Sequence, residues 1–204
     1  MRKGRLMSAD KALDERVKDV LFRQARSYSY WQDRPVADEM LHEIYELAKN
    51  GPTSANSCPM RLVFVSTPDG KERLRPLMAD GNVDKTMSAP VTAIIARDMR
   101  FYEHMDQLNP RANARGWFEG REKAIEVNSL MNMSLQGAYV MLAARSLGLD
   151  CGPMSGFKAK AVAAEFFPDA DVVVNMMCNL GYGRDEKLHD RLPRFSFDEV
   201  AKIV

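Results

Sequence analysis

The chain has 204 residues, of which 46% are hydrophobic and 28% charged, and its formal net charge is +1. This composition is typical of a globular protein, and the near-zero charge excludes a general electrostatic attraction to nucleic acid or to anionic membranes. No apolar run approaches the roughly 20 residues of a membrane-spanning helix. The three cysteines are far apart in the sequence, which indicates reduced thiols and a cytoplasmic location.

Two helices are predicted in the first quarter of the chain, because apolar residues recur there at helical spacing. The first covers residues 10–26 with Asp10 as its cap, and the second covers residues 38–49 with Asp38 as its cap. The ten residues that follow, NGPTSANSCP at 50–59, include turn formers, hydroxyls and amides but no charge. We call them the polar loop. They are either a plain connection or a surface that holds a flat, polar molecule.

A long helix is predicted over residues 122–147, where apolar residues lie on nearly all sides, so the helix is expected to be largely buried. Gly148 then ends it, and Gly137 is small enough to let a partner helix approach closely. Residues 98–120, in which aromatic side chains lie among charged ones, are interpreted as a short helix and a mobile excursion. The segment CGPMSGF at 151–157 is interpreted as a loop.

Apolar runs predict the remaining regular elements. Strands are expected at 61–67, 91–96 and 171–183, and short helices at 68–78 and 158–166. The mixture of strands and helices, with one dominant central helix, favours an α+β fold over a regular alternation of parallel strands and helices. Residues 1–9 are expected to form a disordered N-terminal extension, and residues 10–204 a single domain.

Several kinds of catalytic site are not expected. His42, His104 and His189 are far apart and lack metal-ligand spacing, so no catalytic metal is predicted. The GYGRDE segment at 181–186 begins like a dinucleotide-binding fingerprint, but it lacks the third glycine and the long helix that should follow. A nicotinamide site of the Rossmann type is therefore not predicted.

Four polar segments and a basic tail remain as candidates for a binding site. They are ARSYSYW at 25–31, PTSAN at 52–56, GNVDK at 81–85 and GPMSG at 152–156, followed by RLPRFSF at 191–197. Each has a plain reading by itself: Arg26 complements a helix dipole, the polar loop is turn chemistry, and the tail arginines are solvated. Their order and context nevertheless point to a known family.

The sequence resembles the FMN-dependent nitroreductase superfamily, and within it the short subfamily that includes the malonic semialdehyde reductase of pyrimidine utilisation. The resemblance covers nearly the whole chain beyond residue 9. Its matched segments include WQDRPV at 31–36, GPTSAN at 51–56, GKERLRP at 70–76, LGLDxGPMSGF at 147–157 and RLPRxSF at 191–197, where x marks a position outside the match. The likeness implies a nitroreductase-like fold: a central mixed or antiparallel sheet, helices around a long buried central helix, and an intertwined homodimer with FMN at the interface.

The resemblance also implies roles for individual residues. Arg26 and Arg194 would hold the FMN phosphate, with Arg191 as a further charge. Asn82 and Lys85 would lie at the pyrimidine edge of the flavin, where a cation stabilises the anionic reduced ring. The polar loop would contact the flavin held mainly by the partner chain. The implied FMN-binding residues are Arg26, Ser27, Tyr28, Tyr30, Pro52, Thr53, Ser54, Asn56, Asn82, Lys85, Pro153, Met154, Ser155, Gly156, Arg191 and Arg194.

The implied activity is a ping-pong hydride transfer from NADH or NADPH through flavin N5 to a small acceptor, namely malonic semialdehyde, which becomes 3-hydroxypropanoate. A broad-specificity nitro, quinone or enone reductase is the alternative within the family. A flavin-binding module and a structural dimer without flavin are the non-enzyme alternatives. Candidate acceptor contacts lie in the 98–120 excursion, although packing or solvation explains any one of them equally well: Arg111, Arg115, Trp117 and Phe118.

Overall fold

The computed structural model describes residues 12–204 of the chain. Asp14 caps the first helix, since its carboxylate accepts a hydrogen bond of 2.8 Å from the Val17 N–H. The helix consists of α1 (Glu15–Lys18) and a π-helix that continues it (Asp19–Arg23). The proposed cap Asp10 and the proposed extension over residues 1–9 lie outside the described residues.

Four antiparallel strands form the central sheet. They are β1 (Met60–Val65), β2 (Val91–Asp98), β3 (Asp150–Met154) and β4 (Val172–Gly181), in the order β1-β2-β4-β3. Every residue of the inner strand β2 is buried, as its strongly apolar sequence predicted. The predicted α+β class is confirmed, and the sheet is antiparallel rather than mixed.

The segment 151–157 is not simply the loop that was predicted, because its first residues belong to β3. β3 is an edge strand of the sheet, and its Pro153 pairs with Cys178 of the neighbouring strand β4. Proline is tolerated there because an edge strand need not donate a hydrogen bond on its outer side. Gly152 lets the backbone of Tyr28 lie close to β3, since a Cβ atom at position 152 would be only 2.4 Å from the Tyr28 carbonyl oxygen. A short strand of this composition lacks the apolar pattern that identifies strands in a sequence.

Helices cover both faces of the sheet. On one face lie α2 (Asp38–Ala48) and α6 (Glu122–Ser146), and on the other lie α3 (Pro68–Leu74) and α7 (Ala159–Phe166). Each face of the sheet packs on its helices through an apolar core. Because side chains alternate along β2, the strand contributes to both cores: Ile95 lies on the face of α2 and α6, and Ile94 on the face of α3 and α7. The remaining α-helices of the described residues are α4 (Asp80–Met87), α5 (Met105–Leu108) and α8 (Phe197–Val200).

Two further details of the helices differ from the sequence-based expectations. Asp38 is the first residue of α2 and not its cap, and its carboxylate there lies near the positive end of the helix dipole. Helix α4 was not predicted, because its sequence DGNVDKTM contains glycine, asparagine and aspartate, which favour turns. Hydrogen bonds to distant parts of the chain hold this helix in place, as described below.

Helix α6 spans nearly the predicted range and stops at Gly148, whose φ is +81°. The Gly148 N–H donates to the Arg145 carbonyl at 3.0 Å, one of the two bonds of a Schellman motif. Gly137 accommodates the sheet and not a partner helix, because a Cβ atom there would lie 3.3 Å from Met176 Sδ.

One face of α6 is exposed, so the expectation of a largely buried helix holds only for the face on the sheet. Five apolar side chains on the outer face are 38–56% exposed, and we call them the apolar strip: Val127, Leu130, Met131, Leu135 and Tyr139. Contiguous apolar surface of this kind is typical of an interaction site.

The C-terminal tail, residues 188–204, also exposes apolar side chains. Leu192, Phe195, Phe197, Val200 and Ile203 are between 59% and 91% exposed. The beginning of the tail is tied to the first helix, since Arg191 Nη2 donates to the carbonyls of Arg23 at 2.8 Å and Ala25 at 2.9 Å.

Candidate active site

An open cavity of about 620 Å³ lies between the end of the first helix, the end of α6 and the C-terminal tail. We call it the arginine cavity, because its lining includes the guanidinium groups of Arg26, Arg145, Arg191 and Arg194. Ser27, His189 and Asp190 also line it. Within residues 12–204, none of the four arginines has a carboxylate oxygen within 4.0 Å. Such a group of arginines suits an anion with several oxygens.

The fold brings together four residues that the resemblance selected: Arg26, Ser27, Arg191 and Arg194. Backbone carbonyls orient the arginines, as at Arg26 and Arg191. Arg26 donates to the His189 carbonyl, and Arg191 to carbonyls at the end of the first helix.

Arg145 was missed by the sequence analysis. It lies in the last turn of α6, where a basic residue has the plain reading of complementing the helix dipole. Its Nη1 donates to the Leu21 carbonyl at 3.3 Å, and it faces the arginine cavity. Only the packing of α6 against the first helix reveals this position, so the sequence contained no local signal for it.

Tyr28 turns inward. Its hydroxyl donates to Asp185 Oδ1 at 2.6 Å. Burial is the main cause, and this hydrogen bond the second, that raises the pKa of the Tyr28 hydroxyl far above its usual range. Its ring packs on Gly183, where a Cβ atom would lie 2.0 Å from Tyr28 Cδ1. Gly183, the second glycine of the GYG segment at 181–183, therefore serves packing rather than dinucleotide binding. Tyr30, by contrast, is 52% exposed.

The third and fourth polar segments meet each other. Asn82 Nδ2, on α4, donates to the Gly156 carbonyl at 2.8 Å, and a Cβ atom on Gly156 would lie 2.3 Å from that nitrogen. Thr86 Oγ1 donates to Met154 Sδ at 3.4 Å. Helix α4, which carries Lys85, and residues 153–156 at the end of β3 thus form one continuous surface.

A buried polar network anchors the last turn of α4. Lys71 is only 6% exposed, and its Nζ donates to the Thr86 carbonyl at 2.9 Å and to Thr92 Oγ1 at 2.7 Å. Burial without a carboxylate partner lowers the pKa of Lys71 to about 7.

The network continues to the preceding residue of α4. The Lys85 carbonyl accepts hydrogen bonds from Asn179 Nδ2 and Trp31 Nε1, each at 3.0 Å. Trp31 ends the first polar segment, so the first, third and fourth segments are joined. The backbone of Lys85 is fixed, while its half-buried side chain forms no ion pair within residues 12–204.

The polar loop stands apart from the other segments. Its hydrogen bonds run to α2, to α6 and to the excursion, for example from Asn56 Nδ2 to the Leu108 carbonyl at 2.7 Å, and none within the described chain reaches the other three segments. Pro52, Ser54 and Asn56 are exposed, and Thr53 is half-buried. One chain therefore does not bring all the predicted site residues together.

The 98–120 excursion is packed around a small core that includes Phe101 and Phe118, whose ring centroids are 4.9 Å apart. Packing accounts for Phe118, and Arg115 is paired with Glu119 at 2.7 Å. Arg111 and Trp117 are exposed, so they are the two predicted acceptor contacts whose side chains are accessible.

Sequence comparison places the chain among known proteins. Residues 22–182 match the description "Nitroreductase family". The chain belongs to the nitroreductase family. It is 50% identical over 192 residues to the "Putative NADH dehydrogenase/NAD(P)H nitroreductase" of Ralstonia nicotianae. This alignment covers 94% of this chain and 98% of that protein. Membership of the family makes the protein an FMN-dependent oxidoreductase that uses NAD(P)H.

Solved structures share the fold at low sequence identity. A "putative nitroreductase" from Exiguobacterium sibiricum in complex with FMN superposes with a TM-score of 0.83 at 21% identity, covering 95% of this chain and 98% of that one. An enone reductase of gut-bacterial fatty acid saturation superposes with a TM-score of 0.80 at 18% identity, covering 95% and 100%. These superpositions confirm the predicted nitroreductase-like fold of the single chain.

Neither a membrane-spanning helix nor a cluster of metal ligands occurs among residues 12–204. The helices there are all too short or too polar to cross a bilayer. No group of three or more histidine, cysteine, aspartate or glutamate side chains in this part of the chain is arranged to hold a metal.

Proposed function

We propose that the arginine cavity binds the phosphate of FMN. The observation that carries this proposal is the group of four guanidinium groups without a carboxylate partner among residues 12–204. Each guanidinium can donate two parallel hydrogen bonds to phosphate oxygens, and an anion offsets the repulsion among the like charges. The hydroxyl of Ser27 in the same lining adds a further donor.

The surface made by α4 and residues 153–156 at the end of β3 is assigned to the flavin ring. Gly156 has no side chain to obstruct a flat molecule, and Asn82 is held against its carbonyl. The ammonium of Lys85 lacks a carboxylate partner in the described chain, so it is available to stabilise negative charge on a ligand. When bound, FMN supplies the hydride chemistry that connects NAD(P)H with an acceptor.

The polar loop is assigned to the flavin site of a partner chain in a homodimer. Its separation from the other three segments within one chain supports this assignment. The apolar strip on α6 and the apolar tail offer the surface that a dimer would bury. Thr53, Ser54 and Asn56 then contribute uncharged hydrogen-bonding groups, which suit the neutral edges of a flavin.

Malonic semialdehyde is the proposed acceptor, and 3-hydroxypropanoate its product. The sequence segments that match the subfamily support this proposal. Arg111 also supports it, because its exposed guanidinium has no ion-pair partner in the described chain and suits the carboxylate of this acceptor. The name of the Ralstonia relative favours a second candidate, reduction of nitro compounds. All three cysteines, Cys58, Cys151 and Cys178, are free thiols, which supports a cytoplasmic location.

Stopped-flow reoxidation distinguishes the acceptors. The holoenzyme is reduced anaerobically with NADH or NADPH and mixed with malonic semialdehyde or with a nitroarene. We expect the aldehyde to restore the oxidised flavin spectrum much faster than buffer does. The aldehyde assignment fails if the two rates are equal, and rapid reoxidation by the nitroarene alone would establish the second candidate.

A matched pair of variants tests the role of Arg111. Arg111→Met should slow reoxidation by the carboxylated aldehyde while leaving the uncharged nitroarene unaffected. Arg115→Met removes a guanidinium that is already paired with Glu119, and it serves as the control. Equal effects of both variants on both acceptors would exclude recognition of the carboxylate by Arg111.

A further inference from the structure

Three amide side chains of α6 lie along the polar loop. Asn128, Asn132 and Gln136 are four residues apart, so they follow one another on the same side of the helix. We call them the amide ladder. Asn132 is 0% and Gln136 4% exposed, so their amide groups must find partners within the protein.

Each member of the amide ladder accepts a hydrogen bond from the polar loop or from the residue after it. Asn132 Oδ1 accepts from the Ser54 N–H at 2.7 Å. Asn128 Oδ1 accepts from Ser57 Oγ at 3.1 Å, and Gln136 Oε1 accepts from the Met60 N–H at 3.0 Å. The loop thus runs along α6 towards its N-terminus, reverses, and returns to enter β1.

The reversal uses backbone that side-chain-bearing residues rarely adopt. Ala55, Asn56 and Cys58 have φ values of 56°, 58° and 40°, in the left-handed region. Three such residues within four positions persist only where the surroundings determine the conformation. The amide ladder supplies the fixed acceptors on both sides of this reversal.

The ladder lies beside the apolar strip on the same helix. Tyr139 of the strip packs on Gly51, where a Cβ atom would lie 2.7 Å from Tyr139 Cγ. Helix α6 therefore holds both ends and the middle of the polar loop, and its outer face is the surface assigned to the dimer.

We infer that the amide ladder, with Asn132 at its centre, positions the polar loop for flavin binding. This inference rests on the proposed role of the loop in the FMN site. The ladder residues are positioning residues: they hold the backbone that presents Thr53, Ser54 and Asn56.

Asn132→Leu tests the inference, because leucine has a similar volume but cannot accept the Ser54 N–H. We expect FMN titration of the full-length apo-protein to show affinity about tenfold weaker than that of the wild type, since an unsatisfied amide disfavours the competent loop conformation. Amide hydrogen exchange over residues 53–60 should become faster. The visible circular dichroism of bound flavin should change, which a change of stability alone would not produce.

Ser129→Ala is the matched control. Ser129 is also fully buried in α6, but its hydroxyl bonds the Glu126 carbonyl at 3.2 Å and not the loop. We expect this variant to keep the wild-type FMN affinity and flavin spectrum even if its melting temperature falls. The same loss of affinity in both variants would overturn the inference.

The outcomes separate this inference from the proposed function. A wild-type protein that does not bind FMN refutes the proposed flavin site itself. Wild-type binding with unchanged affinity, exchange and spectrum in Asn132→Leu refutes the ladder alone. If that variant does not fold, Asn128→Ala decides by the same criteria, because Asn128 is only half-buried and its partner is a side-chain hydroxyl.

Discussion

Arg194 lines the arginine cavity, and within residues 12–204 its guanidinium bonds only the nearby carbonyls of Leu192 and Pro193, each at 3.0 Å. We predict that Arg194→Ala weakens FMN binding by about 10- to 150-fold, because a hydrogen bond to a charged group contributes about 1.5–3 kcal/mol. Fluorescence titration of the apo-protein measures the change. Arg100→Ala removes an exposed arginine paired with Glu103 and should leave the affinity unchanged. Equal affinities in all three proteins would contradict the phosphate assignment.

Replacing Gly183 or Gly81 with alanine should affect stability differently. Gly183→Ala should lower the free energy of unfolding by about 1–3 kcal/mol, because its Cβ atom would lie 2.0 Å from the buried Tyr28 ring. Gly81→Ala places a methyl group where no atom lies within 4 Å, inside α4, and should be neutral or stabilising by up to about 1 kcal/mol. Urea denaturation of both apo-proteins compares them. A Gly183→Ala protein as stable as the wild type would show that the ring can move aside.

Single residues were predictable from the sequence where a matched motif fixed their context. Arg26, Ser27, Arg191 and Arg194 were selected in this way, and the fold brings them to one cavity. Arg145 was not predictable, because nothing near it in sequence distinguishes it from a basic residue at a helix end. The inward turn of Tyr28 depends on Asp185, a partner 157 positions away.

The network around α4 predicts a pH dependence of stability. Burial lowers the pKa of Lys71 to about 7 from the ordinary value of 10.5, so the unfolded chain binds more protons than the folded chain between these two values. The free energy of unfolding should therefore rise with pH across this window, by at most about 1.4 kcal/mol per pH unit. Below about pH 7, Lys71 is charged in both states and contributes no further slope.

Lys71→Met isolates this contribution. The difference in unfolding free energy between wild type and variant should change with pH between about 7 and 10.5, because only the wild type carries the buried amine. Chemical denaturation of the apo-protein at several pH values measures it. Lys160→Met, at an exposed position of α7, should leave the slope of the wild type unchanged. A Lys71→Met protein with the wild-type slope would exclude Lys71 as its source.

At the scale of elements, apolar patterning was informative only where an element is held by apolar burial. The inner strand β2 is buried as predicted, and helix α6 has nearly the predicted bounds, with Gly148 marking its end. Strand β3 and helix α4 are held by hydrogen bonds to remote partners, such as that between Asn82 and Gly156. Their own residues favour turns, so the sequence indicated a loop at 151–157 and no helix over residues 80–87.

The apolar strip makes a prediction for the whole molecule. Leu135→Lys introduces a charge at the centre of the surface assigned to the dimer and should shift the protein towards monomers with reduced FMN content. Light scattering after size-exclusion chromatography gives the mass. Ala164→Lys places the same charge on an exposed position of α7, across the sheet, and should not change it. A Leu135→Lys protein of unaltered mass and flavin content would exclude the strip as the dimer interface.

The separation of the polar loop from the other polar segments within one chain has a consequence for handling the protein. If two chains complete each flavin site, subunit association and flavin retention are thermodynamically linked. Dilution that dissociates the subunits then also releases the flavin, and added FMN drives the subunits back together. Colour lost at low protein concentration would reflect this linkage and not damage to the protein.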